Sequence, residues 1–327
     1  MNKILFVFLI SCFSLTIITC SDDKEESSKT TTDNPSDSTT DTIKYVVVGQ
    51  SGTILTSTDG TTWSSQTSGT TQNLNGITNY NGFIITVGGN GTILTSTNGT
   101  TWTSQTSGTT LELFKVKYLN SEYVIVGYDG TMLKSSNGTS WTSVTSPTPG
   151  STNCCKSISY GNGVYIIPGR FSYYTSSLGS YTRSDCYSNW TEYESTYIGS
   201  THYIIGQGSS PSRYVCTSTD GSSWTQKTIS NGDVPYDILY QDSRFLVVGD
   251  KDGSNGSIDT STDYSTWTTI TSCSNGSTFK ILRGVTYGSS MFLSVGNSGN
   301  IVTSSNGTSW TCQTSGTSYN LFDVTSL

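Results

Sequence analysis

The sequence of 327 residues predicts an all-β fold, a seven-bladed β-propeller built of four-stranded antiparallel blades. Three observations carry that expectation. One wording of about forty residues is restated seven times between Lys44 and Leu327, a period that signals ring-arranged supersecondary units. An aromatic residue closes each copy, at Trp63, Trp102, Trp141, Tyr181, Trp224, Trp267 and Trp310, with spacings of 39, 39, 40, 43, 43 and 43. Inside each copy, short β-rich runs are parted by Gly and Asn turns, and no segment keeps a helical period.

Residues 74–106 show how one copy becomes one blade. Leu74 to Tyr80 alternates apolar and polar residues, and Asn81-Gly82 supplies a tight hairpin turn. Phe83 to Val87 is a second strand, Gly88 to Gly91 a turn, Thr92 to Ser96 a third strand, and Trp102 to Thr106 a fourth. The first copy, from Lys44, lacks the opening strand, whereas the chain ends in an orphan one at residues 321–327. The C-terminal strand is therefore expected to complete the first blade and shut the ring, which removes an aggregation-prone edge.

The third turn of most copies has the form Ser-x-Asp/Asn-Gly-x-x-Trp, with Tyr264 in place of the glycine in the sixth. Its central residue is Asp59, Asn98, Asn137, Asp220, Asp263 or Asn306. Both side chains accept hydrogen bonds from turn N–H groups, but Asn cannot titrate, so the free exchange marks these positions as structural. Each Trp (63, 102, 141, 224, 267 and 310) reads as filler between blades. The motif resembles the Asp-box, or BNR repeat, of sialidase-type propellers, with one residue fewer in the turn. The repeat wording is also similar to bacterial relatives of the photosystem II assembly-factor propellers. That second resemblance implies a non-enzymatic scaffold, or an assembly factor for a membrane complex.

Residues 1–19 carry Lys3 and then an apolar run from Ile4 to Ile18, too short for a membrane span and expected to be an export signal. Ile17-Ile18-Thr19-Cys20 resembles a bacterial lipoprotein box, although Thr19 departs from the usual small residue. That resemblance implies lipidation at Cys20 and anchoring in the cell envelope, at the outer membrane or cell surface; plain secretion is the alternative. Residues 20–43 follow as an acidic Ser/Thr-rich tether, too poor in apolar side chains to order itself and reaching about 25 Å. The chain carries a net charge of −7 and no basic stripe, which argues against a nucleic-acid partner. The propeller of residues 44–327 keeps Cys154, Cys155, Cys186, Cys216, Cys273 and Cys312, an even number that suggests disulfides in an oxidising compartment. Six cysteines allow fifteen pairings, so the pattern stays open.

Function is sought on the face that bears the second turns and the interblade links, because there the repeats stop being uniform. Blade 4 departs most: its turn motif has decayed to residues 175–181. Arg170, Phe171, Tyr173, Tyr187, Trp190 and Glu192, with Arg213 from blade 5, form the candidate platform for a protein or glycan. A degenerate blade that only repacks its own aromatics is the competing explanation. Asp250, Asp252 and Asn255 have the alternate spacing of a calcium loop but lack its closing glutamate, so no cofactor is expected. His202 aligns with Tyr45, Tyr123, Tyr165, Phe245 and Phe292 and is expected to pack. The leading expectation is a monomeric, non-enzymatic binding module that touches the membrane through its lipid alone. A sialidase-like glycoside hydrolase is the alternative. That family needs three arginines and a tyrosine–glutamate pair, yet no blade before the fourth holds an arginine, and Tyr193 and Glu194 as strand neighbours face opposite sides.

Overall fold

The computed structural model describes residues 42–150, 154–186, 191–208, 212–232 and 234–327. These residues form seven four-stranded antiparallel sheets, the propeller that the repeat predicts. In blade 2 the strands Leu74–Tyr80, Phe83–Gly88, Ile93–Ser96 and Thr103–Gln105 pair in sequence order from axis to rim. First strands of successive blades neighbour one another around the axis. The ring shuts as expected: Leu321–Ser326 pairs antiparallel with Tyr45–Gly49, setting Val324 opposite Val47 and Ser326 opposite Tyr45.

Between consecutive blades lie seven apolar clusters, and the aromatic that opens each outer strand packs into one of them. Trp102 sits against Val46, Val48, Ile77 and Ile84 between blades 1 and 2, and Tyr181 takes the equivalent place between blades 3 and 4. Trp310 is 1% exposed between blades 6 and 7, beside Leu246, Phe279 and Phe292. Each such aromatic removes a large apolar surface from water, which is what holds a blade to its neighbour. Among the described residues the seam between blades 4 and 5 has the smallest cluster, with Ile166, Ile204 and Cys216 buried in it. A disulfide between Cys186 and Cys216 fastens that seam. Cys273–Cys312 ties the link after blade 6 to the outer strand of blade 7, and Cys154–Cys155 closes a ring within the blade 3–4 cluster.

A second repeated device joins the first two strands of blades 3 to 7. The rings of Tyr118 and Tyr123, Tyr160 and Tyr165, Tyr240 and Phe245, and Tyr287 and Phe292 meet with centroids 4.8, 4.5, 4.5 and 4.7 Å apart. His202 fills the same slot opposite Tyr197, at 4.7 Å, and is fully buried. Burial depresses its proton affinity, as expected of a packing imidazole.

The turns before the outer strands behave as the sequence requires. Asp59 Oδ1 accepts the N–H groups of Thr61 and Thr62 at 2.7 and 2.8 Å, and Asn98 Oδ1 accepts those of Thr100 and Thr101 at 3.0 and 2.9 Å. Asn137, Asp220, Asp263 and Asn306 repeat the pattern. Where the residue is Asp, these N–H bonds hold the carboxyl below its usual range, to about 2 for Asp263. The amide and the carboxylate do the same work, so the turn is scaffold.

Candidate functional site

The first strand of a blade begins on the link face, and there every regular one carries the same defect. Register shifts fall between Leu74 and Gly76, Leu113 and Lys115, Glu192 and Glu194, Pro235 and Asp237, and Leu282 and Gly284. In blade 1 Leu321 pairs with Gly49 while Asp323 pairs with Val48, so Phe322 is the extra residue. A β-bulge inserts one unpaired residue and re-aims its side chain. The second-strand glycine makes room for it, since a Cβ on Gly88 would run into the carbonyl of Asn73 and one on Gly249 into that of Val234. In blade 4 the regular strand starts only at Ser159, and Lys156 holds the equivalent place directly after the Cys154–Cys155 ring.

The seven residues so aimed are Asn75, Phe114, Lys156, Tyr193, Tyr236, Arg283 and Phe322. Together with Asn73, Glu112 and Lys115 they line one recess of about 370 Å³ at the mouth of the axis. The collar is aromatic and cationic. The Arg283 guanidinium lies 4.7 Å from the Tyr236 ring centre and 5.7 Å from that of Phe322, and its Nε donates to Asn297 Oδ1 at 2.6 Å. Lys156 Nζ lies 4.6 Å from the Phe114 ring, and burial lowers its proton affinity while Glu112 partly restores it. Tyr193 and Tyr236 meet edge to face at 6.1 Å.

One layer deeper stand Gly76, Lys115, Ser157, Glu194, Asp237, Gly284 and Asp323. Lys115 Nζ reaches Asp323 Oδ2 at 3.1 Å and Glu194 Oε2 at 3.7 Å, so blades 1, 3 and 5 are joined across the axis. Lys117 Nζ meets Glu194 Oε1 at 2.5 Å, and Ser157 Oγ donates to the same oxygen. Asp237 and Asp323 also clasp the next blade, accepting the N–H of Val285 at 3.0 Å and of Ile77 at 3.1 Å. Glycine at 76 and 284 lets the neighbouring backbones of Lys115 and Asp323 come this close. Burial opposes charge on Lys115 and Glu194, but their opposite partners outweigh it and keep both ionised. Asp237 is pushed up to about 7 by burial, against the pull of Lys115 and with help from the carboxylates of Glu194 and Asp323. This charged layer crosses the axis beneath the mouth, and on its far side Lys115, Lys117, Glu194, Asp237 and Asp323 line a second recess of about 380 Å³.

Of the candidates expected from sequence, none of the described ones lines the mouth. Residues 1–41 with Cys20, and Tyr187 and Trp190, lie outside the described residues. Arg170 is exposed and Phe171 half-buried on blade 4, with the Arg183 guanidinium 3.6 Å from the Phe171 ring and its Nε 2.6 Å from Asp185. Tyr173 packs into the blade 3–4 cluster. Two expectations need correction. Glu192 is 5% exposed, and burial followed by the charge of Asp185 raises its carboxyl to about 8, so it offers no surface carboxylate. Arg213 is fully buried: it bonds Asp259 at 2.6 Å, Ser257 at 2.8 Å and the carbonyl of Asp250. It is an interblade ion pair, because Asp259 stands where Leu55 and Leu94 stand in blades 1 and 2. In the calcium-like loop, Asp250 Oδ1 and Asp252 Oδ1 accept backbone N–H groups of their own turns. Among the described residues no group of three or more His, Cys, Asp or Glu is placed to hold a metal.

A larger recess of about 880 Å³ follows the outer strands of blades 1 and 2, but apart from Leu94 and Trp102 its lining is Ser, Thr, Gly, Asn and Gln. Smaller copies of it recur by blades 1 and 7, which marks it as a shape of the repeat.

No family model and no curated protein matches the chain. Solved structures match its fold. A structure described as YCF48 bound to D1 peptide superimposes with a TM-score of 0.60 at 14% identity, covering 79% of this chain and 86% of the other. YCF48 from Cyanidioschyzon merolae gives 0.54 at 14% identity, over 73% and 84%. The computationally designed Ika8 protein gives 0.50 at 8% identity, over 86% and 83%.

Proposed function

We propose that the chain is a non-enzymatic binding module whose axial mouth receives a segment of a partner protein. The observation that carries this is the ring of bulges. Six blades place a bulge residue, and blade 4 its Lys156, at one equivalent position, and all seven side chains line one recess. Aromatic side chains around a desolvated centre are the usual anchors of protein recognition. Tyr193 and Glu194, the pair a glycosidase reading would recruit, separate into the mouth and the charged layer beneath it. The YCF48 structure with its D1 peptide supports the reading at the level of fold, since a propeller of this shape is described with a peptide bound. We further propose that Cys20 is lipidated and that residues 21–43 hold the propeller off an envelope membrane.

The test is a pull-down from envelope extract with the full chain in mild detergent. Phe114→Ala with Tyr236→Ala is expected to weaken capture of the partner at least tenfold without lowering the melting temperature, and Thr62→Ala on the opposite face to leave it unchanged. Undiminished capture by the double variant, or cleavage of a fluorogenic sialoside by the wild type, overturns the proposal.

A further inference from the structure

We infer that the mouth is specific for a chain end, and takes the free C-terminal carboxylate of an extended peptide. The inference rests on the proposal above and adds the chemistry of the ligand. Three features of the recess combine. First, ion pairs cross its floor. Lys115, Asp323 and Glu194 bridge blades 1, 3 and 5 beneath it, so a threading segment would have to part them whereas a chain terminus need not. Second, its cations are uncommitted. Among the described residues neither Arg283 nor Lys156 has a carboxylate within ion-pair distance; each lies over aromatic rings. A cation held on a ring face has lost part of its hydration, and an arriving anion restores the missing interaction. Third, the sign is unusual for the chain. The net charge is −7, yet Lys115, Lys156 and Arg283 meet one acid, Glu112, in the lining, and Lys115 is already shared with the layer below.

Size limits the ligand as well. A recess of about 370 Å³ lies at the low end of small-ligand pockets and admits the last residues of a chain. Phe114, Tyr193, Tyr236 and Phe322 offer the apolar wall along which the residues preceding the carboxylate would lie.

The experiment compares two degenerate hexapeptide libraries, one with a free C-terminal carboxylate and one amidated, for retention on the immobilised full chain. The free-acid library should be retained about tenfold more, which corresponds to about 1.4 kcal/mol. Arg283→Gln with Lys156→Gln should abolish the difference at unchanged melting temperature, and Lys251→Gln, on an exposed loop, should preserve it. Equal retention of both libraries overturns the terminal-carboxylate inference, as does an amidated library enriched in internal acids or a preference that survives the double substitution. If that equal retention is lost in Phe114→Ala with Tyr236→Ala, the mouth stands as the binding site and only its chemistry is wrong. Retention of neither library overturns both readings.

Discussion

Glu192 and Arg213 show how much one residue's surroundings decide. Glu192 stays protonated because burial has removed the water that would stabilise its charge. Its carboxyl lies near 4.5 in the unfolded chain and near 8 in the folded one, so the folded state binds the extra proton between those values. Stability from this residue is therefore full below about pH 4.5 and is lost as pH rises through 8. Glu192→Gln should raise the melting temperature at pH 8.5 by about 5 °C or more, with the gain vanishing near pH 4. A gain independent of pH would contradict the assignment. The Arg213–Asp259 pair makes the opposite demand, since both partners are charged and fully buried. Asp259→Ala leaves the guanidinium without its counter-ion and should cost about 3–5 kcal/mol in denaturant unfolding, whereas Arg213→Met with Asp259→Leu should recover most of it. Asp259 left a trace in the sequence, because it stands in the place of Leu55, Leu94 and Leu133 in blades 1 to 3. An arginine in an inserted stretch gives no sign of its own depth.

At the scale of the element, the strands, the turns and the interblade aromatics were legible because each follows from local wording repeated seven times. The collar was not legible. A bulge shifts register by one residue, and in the linear sequence Asn75, Phe114, Tyr193, Tyr236, Arg283 and Phe322 look like unrelated neighbours of Leu, Glu or Pro. The usable signal was variability at one fixed position, directly before the Gly, Lys, Glu or Asp that forms the charged layer. The disulfides were equally hidden, since spacing alone could not choose among pairings. In the structure Cys186–Cys216 reinforces the seam that has the fewest buried apolar side chains among the described residues. Closing a loop of sequence separation 30 stabilises by about 3–4 kcal/mol. Cys216→Ser should accordingly lower stability by about that amount and speed hydrogen exchange first in blades 4 and 5. Uniform acceleration around the ring would count against a local staple.

Across the whole molecule, closure by the C-terminal strand makes the ring a rigid frame, and the bulges turn that frame inward on the link face. The sequence pointed to this same face, but to the rim at blade 4 and not to the axis where the proposal places recognition. Irregular blades attract attention when repeats are compared, whereas a bulge shared by six of the seven blades hides within their regularity. The central claim is that recognition happens at the mouth. It is tested most directly by placing a photo-crosslinking amino acid at Phe322, in the collar, and in a second variant at Thr62, in a turn of the opposite face. After irradiation in the intact envelope, the account predicts a covalent adduct with a partner protein from position 322 and none from position 62. An adduct from position 62 alone, or none from position 322, would contradict it.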